Sequence, residues 1–318
     1  MERRYRNQCT LVGVLTDQSL YAWCESRLGE RPAEVVLRTG LLSQVLVMVL
    51  ADGRQVVVKA RPYEPRLLGC AAVQRSVAAG GFPCPAPLAG PDLVDTLAVS
   101  AETRVDAGVQ HDVAAGAEPF ATLLARLVAA APAPDTVPSL APSPPWNGWD
   151  HDGTELWLDL DDEGRNLNRV DGPAWIDTAA AGIRRLLRDY SAPACVGHGD
   201  CESQNIRWLR GEAIAVHDWD SVIAQPEAAV VGFASAVWAA QGGPDEASSV
   251  EQSAAFIDAY EKAAGVHWTQ PARQAAWAAG LWVRLFNAKK EAAAGGGPQL
   301  DRLSGEIAQR LERAGLDA

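Results

Sequence analysis

The sequence predicts an α+β protein in two parts: a small N-terminal lobe built on a mixed β-sheet, and a larger, mostly helical C-terminal lobe. Two apolar, β-branched runs, LLSQVLVMVL and QVVVKA, meet at Asp52-Gly53, a strong short-range hairpin signal. After residue 118 the chain becomes a series of helix-compatible stretches broken by glycine and proline. The 318 residues, 48% of them hydrophobic, are enough for a large core and for one to three domains.

Taken in order, DQSLYAWCESRL at 17–28 spaces Leu20, Trp23, Cys24 and Leu28 as one helix face, with Asp17 or Ser19 as the expected cap. Strands are expected at about 41–50 and 54–60. The alanine-rich stretch 65–79 suits a helix ending at Gly80-Gly81, and PCPAPL must then run extended. DTLAVSAETR reads as a further strand, which closes the first lobe near residue 105 and leaves 106–318 as the second. There, EPFATLLARLVAAA is helical, and the next segment holds six prolines and cannot continue a helix. Trp146 and Trp149 in that segment are expected to pin it to the body, with substrate stacking as the alternative. AWIDTAAAGIRRLLRDY is amphipathic, and helices are expected at about 227–242, 248–264, 270–291 and 299–315.

Charge and cysteine content exclude several functions. With 28 basic against 40 acidic residues, net -12, the chain lacks a nucleic-acid footprint and is compatible with a cationic small-molecule partner. Six cysteines without a CxxC pair suggest neither a zinc site nor a disulfide framework, so a reducing cytoplasm is the expected setting. Met1 opens a polar stretch and no run approaches the ~18 apolar residues of a membrane helix, so neither export nor membrane insertion is expected. GxGxxG and GxxxxGK[ST] are both missing, which sets aside Rossmann and Walker-type nucleotide sites.

The chemistry-bearing residues cluster in HGDCESQN (198–205) and HDWDS (217–221). Phosphoryl transfer from a nucleotide needs a carboxylate beside the attacking hydroxyl, a metal clamp on the phosphates and a cation, because catalysis there is positioning plus charge neutralisation. Asp200, in a turn after the apolar ACV segment, could face an acceptor. Asn205 and Asp218, the latter carried by the strand GEAIAVHD, bring oxygen ligands suited to Mg²⁺.

His198-Gly199-Asp200 with Asn205, followed after a strand by Asp218-Trp219-Asp220, resembles the catalytic and metal loops of the aminoglycoside phosphotransferase and choline kinase-like family. The resemblance implies a bilobal protein-kinase-like fold and an Mg²⁺-dependent kinase that moves the γ-phosphate of ATP or GTP to a hydroxyl of a small acceptor. The acceptor would be an aminoglycoside or other antibiotic, an amino alcohol such as choline, or a sugar. By position Asp200 would be the catalytic base, Asn205 and Asp218 the Mg²⁺ ligands, and His198 and Asp220 supporting residues. Ser43 matches the phosphate-covering loop and Lys59 the phosphate-binding lysine, with the adenine edge meeting the backbone of Ala101, Glu102 and Thr103.

The sequence departs from the family in three places. CESQ (201–204) replaces the common leucine, histidine, proline and glycine, and AQPEAAVV after the metal loop lacks the usual aspartates near Pro226. The helix glutamate that usually orients the lysine is missing: those positions hold Gln74 and Arg75, and Glu64 is the only acid between Lys59 and Asp92. Glu64 is therefore the expected partner of Lys59, with Gln74 as a fallback acceptor. The same departure motivates a rival reading, a nucleotide-binding pseudokinase. Asp150, Asp152, Asp159, Asp161, Asp162 and Glu163 form an acidic segment that would draw in a cationic acceptor if part of it lines the acceptor pocket, with an ordinary solvated loop as the alternative.

Overall fold

The computed structural model describes residues 15–40, 43–110, 113–159, 161, 164–241 and 247–317. Helix α1 (Asp17–Leu28) is capped by Thr16, whose hydroxyl accepts from the Ser19 amide, and not by the expected Asp17 or Ser19; Gly29 ends it in the left-handed conformation. Strands β1 (Pro32–Thr39), β2 (Gln44–Leu50) and β3 (Gln55–Pro62) follow, with β2 and β3 joined at the expected Asp52-Gly53 turn. Helix α2 (Leu67–Ala79) then leads to β4 (Pro87–Val94) and β5 (Leu97–Thr103).

These strands form one sheet in the order β1-β2-β3-β5-β4, and every pairing is antiparallel, where a mixed sheet was expected. The α2 connection returns β4 in the direction of β3, but β5 lies between them, so no parallel neighbours arise. Strand β3 alternates across the sheet: Val56, Val58 and Ala60 are buried against Leu20, Trp23 and Cys24 of α1. Lys59 and Arg61 stand on the opposite face. The period of two thus puts an apolar cluster on one side of the sheet and charged groups on the other.

Beyond the isolated bridge Val109–Trp208 come α3 (Glu118–Ala130), α4 (Ala174–Asp189), β6 (Ala194–His198), β7 (Ile206–Leu209), β8 (Glu212–Val216) and β9 (Val222–Pro226). Helices α5 (Glu227–Val237), α6 (Val250–Ala264), α7 (Gln270–Ala293) and α8 (Pro298–Arg313) complete the described chain. Helix α5 is buried from Ala228 to Val237 and crosses α7 closely: a Cβ on Gly232 would lie 2.1 Å from the Ala276 carbonyl oxygen. Phe120, Phe233, Trp238, Phe256 and Trp282 fill the large core, each burial worth about 1.5–3 kcal/mol for a side chain of this class. No helix among the described residues is long and apolar enough to cross a membrane.

Candidate active site

Two short ladders bring the motif loops together. His198 at the end of β6 pairs with Val222 at the start of β9, and Ile206 at the start of β7 pairs with Val216 at the end of β8. The loops 199–205 and 217–221 are therefore clamped at both ends, and the His217 amide donates to the Asn205 carbonyl at 2.8 Å across them. Gly199 donates to the Ser221 carbonyl at 2.7 Å. A Cβ there would lie 2.3 Å from the Asn147 side-chain oxygen and 3.0 Å from Ser221 O, so this position needs glycine for close approach.

Within this frame each side chain has a defined partner. The Asn205 amide nitrogen donates to the Asp200 carboxylate and to its backbone carbonyl, both at 3.0 Å. His198 is fully buried; its Nδ1 accepts from the Asp200 amide at 3.2 Å, so the ring proton sits on Nε2 and donates to His217 O at 2.9 Å. Burial holds this imidazole below its usual pKa, and a neutral ring is what that pattern requires. Asp218 adopts a left-handed backbone (φ 61°), and its carboxylate accepts from the Ser221 hydroxyl at 3.0 Å. Burial, and after it the carboxylates of Glu202 and Asp218, push Asp200 well above the usual carboxylate range, while the Asn205 amide acts in the opposite sense.

Asp200 and Asp218 open into a cavity of about 240 Å³ that Glu202, Trp146, Val237 and Phe286 also line. Trp146 thus lines this cavity, whereas buried Trp149 pins the proline-rich segment by donating to Gln225 at 2.8 Å. The acidic segment does not line this cavity through Asp161, whose buried carboxylate is paired with Arg165 at 3.0 Å; Asp162 and Glu163 lie outside the described residues. Burial pushes the Cys195 and Cys201 thiols up to about 12, as expected of packing cysteines.

On the sheet side, Lys59, Arg61, Gln74, Ser100, Glu102 and Asp220 line one narrow cleft. Lys59 Nζ lies 3.5 Å from the Glu102 carboxylate. Glu64 is exposed just before α2 and is not its partner, because β3 has ended by then and the chain turns away at Pro65. Glu102 was expected at the adenine edge together with Ala101 and Thr103. The structure sets Ala101 and Glu102 inside β5, flanked by β3 and β4, and Thr103 at its end, where Thr103 N donates to Ala86 O and the Thr103 hydroxyl accepts from Ala86 N. Ser43 stands immediately before β2, in the β1–β2 connection, of which residues 41 and 42 lie outside the described part.

The sequence reading missed two arginines. Arg61 reaches Asp220 at 2.5 Å, and Arg66 donates to the carbonyls of Asp220 at 2.7 Å and Val222 at 2.6 Å. Together they tie the 217–221 loop and the start of β9 to the sheet side. Their positions two and seven residues after Lys59 were visible, but no sequence pattern marks an arginine as reaching a loop about 155 residues on.

An antiparallel sheet set against a helical part, with a cleft holding Lys59 and Arg61 beside an Asp-Asn-Asp loop pair, defines a kinase-like fold. The profile of the phosphotransferase enzyme family matches residues 35–279, and the chain belongs to that family. No curated protein matches the chain in sequence. Among solved structures, a thermostable mutant of aminoglycoside phosphotransferase APH(4)-Ia in ternary complex with AMP-PNP and hygromycin B is 16% identical. It covers 93% of this chain and 97% of its own at a TM-score of 0.56. Amicoumacin kinase hAmiN, in complex with AMP-PNP, Ca²⁺ and Ami, is 10% identical, with 90% and 89% coverage and a TM-score of 0.59. A choline/ethanolamine kinase family protein from Mesorhizobium loti is 16% identical, with 95% and 92% coverage and a TM-score of 0.56. At such identities the likeness establishes the fold.

Proposed function

We propose that this chain is a kinase that transfers the γ-phosphate of ATP or GTP, as its Mg²⁺ complex, to a hydroxyl of a small, hydroxylated and cationic acceptor. The observation that carries this is the Asp200 carboxylate, held by Asn205 on one wall of a cavity that also exposes Asp218 and Glu202 beside apolar Trp146, Val237 and Phe286. Such a cavity suits a molecule with both hydroxyl and amine groups. In this reading the nucleotide lies between residues 1–105 and 106–318, and Lys59 faces its phosphates. Asp200 orients the acceptor hydroxyl and takes its proton as the oxygen attacks the γ-phosphorus and the bond to the nucleoside diphosphate breaks.

The donor set fits a hard cation. Asp218 and Asn205 are oxygen ligands on adjoining loops, and among the described residues no cluster of three His, Cys, Asp or Glu offers an all-protein cage. Mg²⁺ is typically held by one or two protein oxygens with the substrate phosphates completing its shell. Asn205 and Asp218 would hold it, and when bound it would neutralise charge on the phosphates.

The pseudokinase reading was motivated by the missing helix glutamate; the Lys59–Glu102 pair, which gives the lysine a carboxylate from the sheet, supports the active-kinase reading. The experiment is a nucleotide-consumption screen with Mg²⁺ against aminoglycosides and other antibiotics, amino alcohols and sugars, with products identified by mass. A phosphorylated acceptor is expected among the aminated, hydroxylated compounds. Mg-nucleotide binding with no acceptor phosphorylated would favour the pseudokinase instead.

A further inference from the structure

The position from which Lys59 is held differs from the one the family resemblance implies, and the difference follows from strand register. Lys59 faces Ser100 across β3 and β5, and Val57 faces Glu102. With a period of two, Lys59 and Glu102 share one face and are diagonal neighbours, within reach of long side chains. Arg61 and Ser100 repeat that diagonal one step along, with the guanidinium donating to the hydroxyl at 3.1 Å. Both Lys59 and Glu102 are largely shielded, with side-chain exposures of 14% and 9%.

Helix α2 enters through Gln74, which is buried. Its amide nitrogen donates to Glu102 at 3.0 Å and to the Pro85 carbonyl at 3.1 Å. Both partners are acceptors, so the nitrogen and not the oxygen of this amide faces them. Gln74 is therefore a donor that fixes the carboxylate, not a fallback acceptor for the lysine. Asp220, the other acid in this cleft, is already engaged by Arg61.

We infer that Glu102, on β5 and oriented by Gln74 of α2, is the positioning residue for Lys59, doing from the sheet what a helix glutamate would otherwise do. By the same division, Arg61 takes Asp220, so Lys59 is not drawn onto the metal loop and Asp218 remains available there. This inference rests on the proposed phosphotransfer only in giving Lys59 a phosphate to meet; the Lys59–Glu102–Gln74 chain itself is a property of the free protein.

The test has one arm that needs nucleotide and one that does not. In the first, the Kd of Mg-nucleotide is measured for wild type, Glu102→Gln, Gln74→Met and Glu64→Gln, with Tm and circular dichroism as controls of folding. Losing a charge-assisted partner should weaken nucleotide binding roughly 10- to 100-fold in Glu102→Gln and less in Gln74→Met, with Glu64→Gln like wild type. In the second, the Lys59 ammonium is titrated by NMR in the free protein. Burial opposes the charged form, and the carboxylates of Glu102, Asp220 and Asp218 together outweigh it and hold Lys59 above its ordinary value. Glu102→Gln should lower that titration. A Lys59 titration unmoved by Glu102→Gln, or moved equally by Glu64→Gln, would overturn the inference. Wild-type protein that binds no nucleotide would count against the proposed function, and the titration would still decide the role of Glu102.

Discussion

Asp200, Asn205 and Asp218 sit on two loops whose ends are fixed by ladders within the same short stretch of chain, while Lys59 and Glu102 meet through the register of strands separated by a helix and a further strand. The first group is brought together by local connectivity. A change of spacing would break the His198–Val222 or Ile206–Val216 pairing, so their spacing carries their geometry. In the second group nothing local joins the partners, and a shift of one residue between β3 and β5 would turn Glu102 to the opposite face, among Val56, Val58 and Ala60. The two sides of the cleft thus meet the same need, a charge held in place, by a short loop closure on one side and a long-range register on the other.

That contrast can be sharpened by substitution. The largest effect is expected at Asp200, where Asp200→Asn keeps the shape of the loop and removes the base. Transfer should fall at least ~100-fold, the lower range for losing a positioned general base, as measured by single-turnover phosphorylation of whichever acceptor the screen identifies. Arg61→Ala removes the bridge between the two sides and leaves the Asp220 carboxylate, three-quarters shielded, without its cation. Hydrogen bonds to charged groups contribute about 1.5–3 kcal/mol, so urea unfolding should show a loss of that size. Gly199→Ala acts on the loop side alone. Its Cβ must displace Asn147 or the Ser221 backbone, and the cost of about 1–3 kcal/mol should appear in Tm together with slower transfer. If Arg61→Ala were silent in both unfolding and transfer, the two sides would be independent and the bridge incidental.

The sequence made one side far more legible than the other, for the same physical reason. The hairpin at Asp52-Gly53, helix α2, the proline-rich segment and the C-terminal helices were readable because turn chemistry and periodicity are local signals. Strand β1 was not read: all but two of its residues, Pro32 and Val35, are exposed, so it shows no alternation of apolar and polar positions. In the site, the spacing of His198, Asp200, Asn205 and Asp218 predicted a shared location, and the structure brings them together. Glu102 was noticed for its backbone, while it is its carboxylate that meets Lys59, because only register reveals which strand residues are diagonal neighbours. Glu64 was chosen by elimination within one sequence interval, and an interval says nothing about a partner arriving from β5. The arginines Arg61 and Arg66 were missed for the same reason.

The central claim is that Asp218 holds the metal-nucleotide while Asp200 acts on the acceptor, and Mg-nucleotide affinity measured calorimetrically for wild type, Asp218→Asn and Asp200→Asn tests it most directly. Wild type and Asp200→Asn should bind Mg-nucleotide with similar affinity, and Asp218→Asn should bind it at least ~10-fold more weakly, the effect of losing one charged metal ligand being worth ~1.4 kcal/mol or more. Equal affinity in Asp218→Asn and wild type, or a loss in Asp200→Asn as large as in Asp218→Asn, would contradict this division of labour.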